Sequence, residues 1–283
     1  PDGSLSAKAS NYAVFVEDRW QMGDGWTVTP GVRHDHHSMF GGKTTARLTA
    51  NRQIDDTTNL YASWGQSFKV PALDDLFMPY NGMYKGNPNL RPETDETITL
   101  GINTRLAKDT SIQASVFSSK LRDAIQWDYT KYPWEPVNIG QQKNRGLDIT
   151  LSRKLSPQWD VSSGYSYVKK ENKAGNAGYE NDASNSEPRG YHLGVRYHQD
   201  KWNASMDVKG VTGRSAQYFT SERYWVVDLA ASYRINPDTR AYVKVCNLTD
   251  RAYEAMGLLN WSTTMGYYPM PARQWVLGIE HRM

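Results

Sequence analysis

Several features that fold or anchor many proteins are scarce or missing from this chain of 283 residues. Cys246 is its single cysteine, so no disulfide bond can form within the chain. No run approaches the length of about 18 apolar residues that a membrane-spanning helix requires. A transmembrane β-barrel is still possible, because its strands need only about 10 residues and expose alternate ones to lipid. The chain starts Pro1-Asp2-Gly3 without the pattern of a secretory signal. We therefore expect that such a signal was removed or that the chain is an excised piece of a longer one.

The chain also has little excess of positive over negative charge, and few Phe residues. The formal net charge is only +3 and no basic stripe is visible, so a nucleic-acid partner is not expected. Hydrophobic residues make up 39% of the chain and the mean hydropathy is −0.71, which is low for a conventional core of this size. The chain has 18 Tyr and 10 Trp against 6 Phe. This bias favours amphipathic rings, which are typical of places where an apolar surface meets water.

Local signatures of catalysis are missing as well. Alternation in a strand would place His34 and His36 on one face and His37 on the other, so a metal site there would need ligands from elsewhere. Polar residues at a strand end are the simpler interpretation, and we expect no metal. The acidic pairs at 55–56 and 74–75 are adjacent, so their side chains diverge. No Ser-His-Asp, Cys-His or phosphate-binding glycine pattern is present. The chain is not expected to be an enzyme.

Alternating strands are the dominant pattern. From Glu93 onward, for example, Ile98 and Leu100 fall on one face while Thr97 and Thr99 fall on the other. Thirteen such strands are predicted, and most are longer than the usual strand of about 5–6 residues. They span residues 11–20, 26–37, 44–53, 59–68, 93–106, 111–127, part of 137–155, 159–170, 188–198, 202–213, 224–235, 239–248 and 271–283.

The connections between these strands alternate between short and long, with no helical stretch, which predicts an antiparallel meander. Short turns at one end and long loops at the other are typical of an outer-membrane barrel with periplasmic turns and extracellular loops. A soluble β-sandwich would have shorter strands and no such bias. The predicted fold is therefore all-β, an antiparallel meander forming part of a transmembrane β-barrel. Because a closed bacterial barrel has an even number of strands, either the count is wrong by one or the chain lacks the start of its barrel.

Aromatic residues in three long loops are the candidate ligand-binding residues. All three loops fall at the same end of the meander, where converging rings could form a pocket for a flat or amphipathic ligand. The alternative is that these rings only mark the membrane boundary, as we expect for Trp20, Trp26, Trp159, Trp202 and Trp225. The candidates are Phe77, Tyr80 and Tyr84 in the first loop, Tyr129, Tyr132 and Trp134 with the neighbouring Trp127 in the second, and Trp261, Tyr267 and Tyr268 in the last.

Five motifs in order give the chain a family resemblance. It resembles the C-terminal part of the barrel of a TonB-dependent outer-membrane receptor. The motif residues that carry the resemblance are Phe68 and Pro71 in the segment 68–77, Asn87, Pro88, Asn89, Leu90, Pro92 and Glu93 in the segment 86–93, and Asn247 and Leu248 in the segment 245–253. The segments 144–148 and 268–275 are similar to two further motifs of the family.

The resemblance implies that residues 1–283 are the C-terminal portion of one outer-membrane barrel domain. Such a barrel has about 22 strands around a plug domain, and these would be its last 13. It implies a Gram-negative outer-membrane location, contact with outer-membrane lipid, and recognition of the last strand by the barrel-assembly machinery. TonB would be contacted through a plug segment that this chain does not include. The cargo would be a small-molecule metal chelate, with no resident cofactor.

Departures from the family pattern refine this expectation. Haem receptors of the family carry a His between the two motifs that correspond to segments 68–77 and 86–93, and residues 69–86 contain none. A ferric siderophore is therefore the leading cargo, and haem or cobalamin are alternatives. The chain ends in Met283 where an aromatic residue is usual, and Ala272 replaces a common Gly. Two other classes stay open from the residues alone: a plug-less passive porin or adhesin barrel, and a soluble carbohydrate-binding β protein.

Overall fold

The computed structural model describes residues 6–175, 177–259 and 265–282. It is built almost wholly of strands. These are β1 (Asn11–Glu17), β2 (Trp20–Met22), β3 (Trp26–His37), β4 (Gly41–Gln53), β5 (Thr58–Lys69), β6 (Glu93–Ala107), β7 (Thr110–Arg122), β8 (Ile125–Asp128), β9 (Glu135–Asn138), β10 (Gln141–Lys154), β11 (Trp159–Lys173), β12 (Glu180–Asn181), β13 (Arg189–Gln199), β14 (Trp202–Thr212), β15 (Arg223–Asn236), β16 (Thr239–Cys246), β17 (Glu254–Leu259), β18 (Met265–Pro269) and β19 (Gln274–His281), with one short helix, α1 (Leu73–Phe77).

Thirteen of these strands follow one another along a single sheet. Their order is β1-β3-β4-β5-β6-β7-β10-β11-β13-β14-β15-β16-β19, with β2 and β12 attached beside this path. Neighbours such as β3 and β4 or β14 and β15 pair antiparallel, the latter from Trp202↔Tyr233 to Thr212↔Arg223. The predicted antiparallel meander of thirteen long strands is confirmed.

The apolar side chains of the strands are unusually exposed. On β19, Trp275, Leu277 and Ile279 alternate along one face and are 63%, 76% and 73% exposed. An apolar strand face open to its surroundings is what a lipid-facing strand requires. None of the described residues forms a helix long and apolar enough to cross a membrane.

The chain divides into two compact units. Unit 1 comprises residues 1–101, 116–145 and 169–181, and unit 2 comprises residues 102–115, 146–168 and 182–283. The buried apolar residues of each unit gather where strands meet long connections. In unit 1 they are Leu76, Leu90 and Ala124; in unit 2 they include Val211, Tyr224 and Val226, which pack together with the half-buried Tyr253.

Three predicted segments differ from the structure. The connection 69–92 contains α1, so the prediction that no helix intervenes was wrong there. The strand predicted over 111–127 ends at Arg122 because Asp123 has φ 54°, which breaks the extended backbone. Residues beyond it form a separate hairpin, in which β8 takes the end of that predicted strand and β9 runs from the predicted loop into the next predicted strand. The last long loop likewise contains the hairpin β17 with β18.

Candidate functional site: the loop clusters

Gly86 begins the construction of the site in unit 1. Its N–H donates to the carbonyl of Met78 at 2.8 Å, and the N–H of Asn87 donates to the carbonyl of Asp75 at 2.7 Å. A Cβ atom at Gly86 would lie 2.6 Å from the backbone N of Met78. The backbone therefore passes so close to α1 that glycine is required, and the segment after it is docked on the helix.

Asn87 then ties this loop to the next one. Its side-chain amide donates to the carbonyl of Pro136 on β9 at 2.9 Å, and its side-chain oxygen accepts the N–H of Asn89 at 3.0 Å. Pro136 is fully buried and Leu90 is 3% exposed. The motif 86–93 thus holds the loop 69–92 against β9.

The second half of the motif 86–93 holds the first and last residues of the hairpin β8/β9 in place. Asn138 accepts the N–H of Arg91 at 2.9 Å and donates to the carbonyls of Arg91 at 3.0 Å and Asp123 at 2.6 Å. The guanidinium of Arg91 pairs with the Asp123 carboxylate at 2.6 Å. The buried carboxylate of Glu93 accepts the N–H of Ile125 at 2.7 Å. Together these contacts fix the hairpin against the start of β6.

On this base stands the aromatic cluster, defined as Tyr80, Tyr84, Trp127, Tyr129, Tyr132 and Trp134. The ring of Tyr84 lies edge-on to Trp127 and Trp134, with centroids 5.5 and 5.4 Å apart, and Tyr129 lies edge-on to Trp134 at 5.3 Å. The backbone joins in, since the N–H of Trp134 donates to the carbonyl of Met83 at 3.0 Å and that of Lys85 donates to the carbonyl of Trp134 at 3.0 Å. The edge-to-face geometry is the favoured one for aromatic pairs.

Tyr80 and Tyr132 form the outer part of the cluster. Their hydroxyl groups lie 3.0 Å apart, and the Tyr132 hydroxyl donates to the carbonyl of Gly82. The hydrogen bond between the Tyr80 and Tyr132 hydroxyl groups favours the neutral phenol of Tyr132, so the pKa of Tyr132 is raised above its ordinary value. Tyr80, Tyr129 and Tyr132 are 58%, 53% and 64% exposed, so the cluster offers ring faces to a ligand.

The structure therefore brings together Tyr80, Tyr84, Tyr129, Tyr132 and Trp134 of the predicted ligand-binding residues, as shown by the contacts above. Phe77 is the last residue of α1 and is exposed. In unit 2, Tyr268 is exposed on β18. Trp261 and the side chain of Tyr267 lie outside the described residues.

Unit 2 contains a loop cluster that sequence reasoning missed. The guanidinium of Arg214 lies 2.7 Å from the carboxylate of Glu254, and the two residues are 3% and 2% exposed. Glu254 also accepts the N–H and hydroxyl of Thr220, both at 2.8 Å, and the N–H of Ser221 at 3.3 Å. Arg214 lies over the ring of Phe219 at 3.8 Å, and burial lowers its pKa. Arg214 and Glu254 are 40 residues apart, and no local spacing predicts their pairing.

Asn247 explains the motif 245–253. It has φ 51°, and its side chain accepts the N–H of Arg251 at 2.8 Å and donates to the carbonyls of Arg251 at 2.9 Å and Pro271 at 3.2 Å. Its own N–H donates to Asp228 at 2.7 Å. Asparagine tolerates the left-handed region and bonds nearby backbone, so this motif residue turns the chain out of β16.

The histidine group predicted to be structural makes local contacts. His34 Nδ1 lies 2.9 Å from Thr44 Oγ1, and the buried Asp35 accepts hydrogen bonds from Arg33 at 2.7 and 2.9 Å and from Asn11 at 2.8 Å. Across residues 6–175, 177–259 and 265–282, no group of three or more His, Cys, Asp or Glu residues is placed to hold a metal ion.

Residues 1–248 match the family model for TonB dependent receptor-like β-barrels. The vitamin B12 transporter BtuB of Vibrio vulnificus (strain YJ016) is 27% identical over 271 residues, which cover 90% of this chain and 40% of that protein. Among solved structures, the copper transporter OprC is 18% identical with a TM-score of 0.77, and the siderophore receptor PirA from Pseudomonas aeruginosa is 20% identical with a TM-score of 0.74. These cover 96% and 97% of the chain and 47% of each neighbour. At this identity the structural likenesses concern the fold alone, and the chain spans less than half the length of these relatives.

Proposed function

Because the chain belongs to the TonB-dependent receptor β-barrel family, whose members lie in the Gram-negative outer membrane, we propose that it is the barrel portion of a receptor for active nutrient uptake. Energy for uptake would come through TonB, which would contact a plug segment outside this chain. The family relationship sets aside a soluble carbohydrate-binding protein and a passive porin. The relatives named above are transporters and a receptor, which supports a function in transport rather than in catalysis.

The cargo proposed is a ferric siderophore, bound by the aromatic cluster. The observation that carries this proposal is that rings from two loops interlock and still leave Tyr80, Tyr129 and Tyr132 more than half exposed. Siderophores present flat or amphipathic faces around the metal, which suit stacking against exposed Tyr and Trp rings. The fastening at Asn87 holds the two loops in place before the ligand arrives, which lowers the entropy cost of binding.

Cobalamin is the second candidate cargo, because a protein named as a vitamin B12 transporter is similar over 90% of this chain. Haem is disfavoured, since residues 69–86 contain no His that could ligate its iron. The remaining proposed partners are outer-membrane lipid, which the exposed Trp275, Leu277 and Ile279 would contact, and the barrel-assembly machinery, which would read β19. Met283 lies outside the described residues.

The test is growth of a strain that lacks the complete gene, on single defined sources of iron or cobalamin. We expect loss of growth on one class of ferric siderophore, with rescue by the wild-type gene. The double variant Tyr80→Ala/Tyr132→Ala should need about thirtyfold more of that siderophore for the same growth, since each lost ring contributes about 1 kcal/mol. Tyr12→Ala, which removes an exposed ring on β1, is the matched control and should rescue fully. Unchanged growth of the deletion strain on every ferric siderophore tested contradicts the cargo proposal.

A further inference from the structure

A tight turn, residues 81–84, lies between two rings of the aromatic cluster. The N–H of Asn81 donates to the carbonyl of Tyr84 at 3.2 Å, which closes the turn. The side-chain oxygen of Asn81 accepts the N–H groups of Met83 at 3.1 Å and Tyr84 at 2.8 Å. Asn81 therefore sets the spacing along the chain between the rings of Tyr80 and Tyr84.

Asn81 is followed by Gly82, and this is the one Asn-Gly pair in the chain. The side-chain carbonyl of an asparagine can be attacked by the backbone nitrogen of the next residue, unless a side chain on that residue blocks the approach. Gly82 has no side chain, its φ is 88°, and a Cβ atom placed on it would meet no heavy atom of the described residues within 4 Å. Both residues are exposed, so water reaches the pair. The backbone nitrogen of Gly82 is therefore open to this reaction.

The turn also polarises the carbonyl group that would be attacked. The side-chain oxygen of Asn81 is held by two backbone N–H groups, those of Met83 and Tyr84. Two such donors on one carbonyl oxygen are the arrangement that stabilises the oxyanion of a tetrahedral intermediate. Because the attacking nitrogen belongs to the next residue, the reaction is intramolecular and no entropy is lost in bringing two molecules together. One turn thus supplies the nucleophile, the electrophile and the oxyanion site.

We propose that Asn81 is a modification site at which the receptor converts spontaneously to isoaspartate. The backbone nitrogen of Gly82 forms a bond to Cγ of Asn81, the Cγ–Nδ2 bond breaks, and ammonia leaves with the proton of the Gly82 N–H. Water then opens the resulting cyclic imide. Opening at the side-chain carbonyl leaves aspartate, and opening at the main-chain carbonyl leaves isoaspartate. The net reaction consumes water and releases ammonia, and nothing is oxidised or reduced.

The isoaspartate form lengthens the backbone of the turn. Its main chain runs through Cβ and Cγ, which adds one carbon atom between Tyr80 and Gly82 and displaces the oxygen that accepts from Met83 and Tyr84. The Tyr132 hydroxyl contacts both the Tyr80 hydroxyl and the Gly82 carbonyl, and we expect both contacts to break when the turn changes length. Ageing of the receptor therefore opens the outer part of the aromatic cluster, whatever the cargo is.

The experiment uses the receptor expressed from its complete gene, purified in a neutral detergent and incubated at neutral pH. Mass spectrometry of the tryptic fragment 70–85, in which Asn81 is the only Asn, measures the gain in mass from amide to acid. Labelling by an isoaspartyl methyltransferase identifies isoaspartate. Asn89 is the matched control within the same protein, because it is exposed but precedes the branched and buried Leu90. We expect Asn81 to convert at least about tenfold faster than Asn89, which corresponds to a barrier lower by about 1.4 kcal/mol.

Two variants separate the chemistry from its consequence. Asn81→Gln should stay unmodified over the same time, because its longer side chain would have to close a larger ring. Amide hydrogen exchange of residues 79–86 should be faster in aged than in fresh wild-type protein, while exchange of residues 213–222 in unit 2 stays the same. Asn81→Asp introduces the charge without lengthening the backbone and keeps an acceptor oxygen, so its exchange should match that of fresh protein.

The free peptide 78–85 tests the part that the fold contributes. It contains the same Asn-Gly pair without the fixed N–H donors, so we expect the folded receptor to convert at least as fast as the peptide. Slower conversion in the receptor overturns the proposal, as does conversion at Asn81 that is no faster than at Asn89. Isoaspartate formation with unchanged exchange of residues 79–86 overturns its consequence for the aromatic cluster. None of these measurements uses a siderophore, so their outcome is independent of the proposed function.

Discussion

In unit 1 the loop 69–92 meets the hairpin β8/β9 through amide groups and exposed aromatic rings, whereas in unit 2 the loop 213–222 meets β17 through a buried ion pair. Both arrangements join two long connections at the ends of strands. They differ in which side chains remain exposed to solvent. The aromatic cluster keeps its rings exposed, while Arg214 and Glu254 are almost completely buried.

This difference separates a surface able to bind a ligand from a contact that only positions loops. Glu254 uses its carboxylate oxygens on Arg214, Thr220 and Ser221. The aromatic cluster of unit 1 instead has its structural hydrogen bonds made by Asn87 and Asn138 beneath it, so its own rings stay available. The comparison predicts large stability effects in unit 2 and large ligand effects in unit 1.

The largest stability effect is expected from Glu254→Gln. The change leaves the buried Arg214 guanidinium without its counter-ion, which typically costs about 3–5 kcal/mol. The free energy of local opening of residues 213–222, measured by amide hydrogen exchange in the purified receptor, should fall by that amount. Glu280→Gln on β19 removes a carboxylate from the exposed pair with Arg240 and is the matched control. A loss below about 1 kcal/mol for Glu254→Gln would show that the buried pair does not hold the loop.

Asn87→Ala should have the next largest effect. It removes the bond to the carbonyl of the buried Pro136 and the bond from the N–H of Asn89, and leaves that carbonyl unsatisfied, at a cost of about 1–3 kcal/mol. Hydrogen exchange should rise in both 79–86 and 128–136, because the two loops are released together. The control Asn89→Ala changes an exposed side chain and should cost less than about 0.5 kcal/mol. Faster exchange in only one loop would mean that Asn87 does not couple them.

Alkaline pH should weaken the outer part of the aromatic cluster. The hydrogen bond between Tyr132 and Tyr80 raises the pKa of Tyr132 above the ordinary 10.0, so the folded state favours the neutral phenol. The stabilisation is complete below the ordinary tyrosine pKa and is lost as the pH rises through the raised value. Titration by tyrosinate absorbance should show the Tyr132 phenol among the late-titrating groups. Tyr80→Phe should return the pKa of Tyr132 toward its ordinary value, whereas the control Tyr12→Phe on β1 should not. An unchanged titration curve in Tyr80→Phe would show that this hydrogen bond does not raise the pKa of Tyr132.

Alternation and loop length were sufficient to predict the thirteen strands along the main sheet, but not the hairpins β8/β9 and β17/β18. In β15, for example, Trp225, Val227 and Leu229 fall on one face while Tyr224, Asp228 and Ser232 fall on the other, and alternation over that length predicts a strand. The interruption after Arg122 was missed because Asp123 tolerates the left-handed region without any local signal that it adopts it. Helix α1 was missed because five residues are too few to show a helical period.

The sequence predicted the aromatic cluster, because the loops are visibly rich in Tyr and Trp. It did not predict the Arg214–Glu254 pair, which depends on contacts between residues far apart in the chain. Aromatic enrichment in the loops led to Tyr84 and Trp134, which the structure places in contact. Arg214 and Glu254 meet only because two distant connections fold against each other. Nothing in the sequence around either residue indicates that the two side chains will pair. Charge pairs of this kind need the tertiary structure to be seen.

The smallest effect is expected from Glu135→Gln, and it provides the sharpest test of the comparison. Glu135 pairs with Lys85 at 3.1 Å between the same two loops that Asn87 joins, but the two side chains are 34% and 45% exposed. Water and salt screen such a pair, so its loss should cost about 0.2–1 kcal/mol and less at high ionic strength. Hydrogen exchange of residues 79–86 at low and high salt measures this, and the Glu254→Gln effect at 213–222 should not change with salt. If Glu135→Gln lowers the free energy of local opening as much as Glu254→Gln does, the loops of unit 1 are also held together by an ion pair. The proposed difference between the aromatic cluster and the buried Arg214–Glu254 pair would then be wrong.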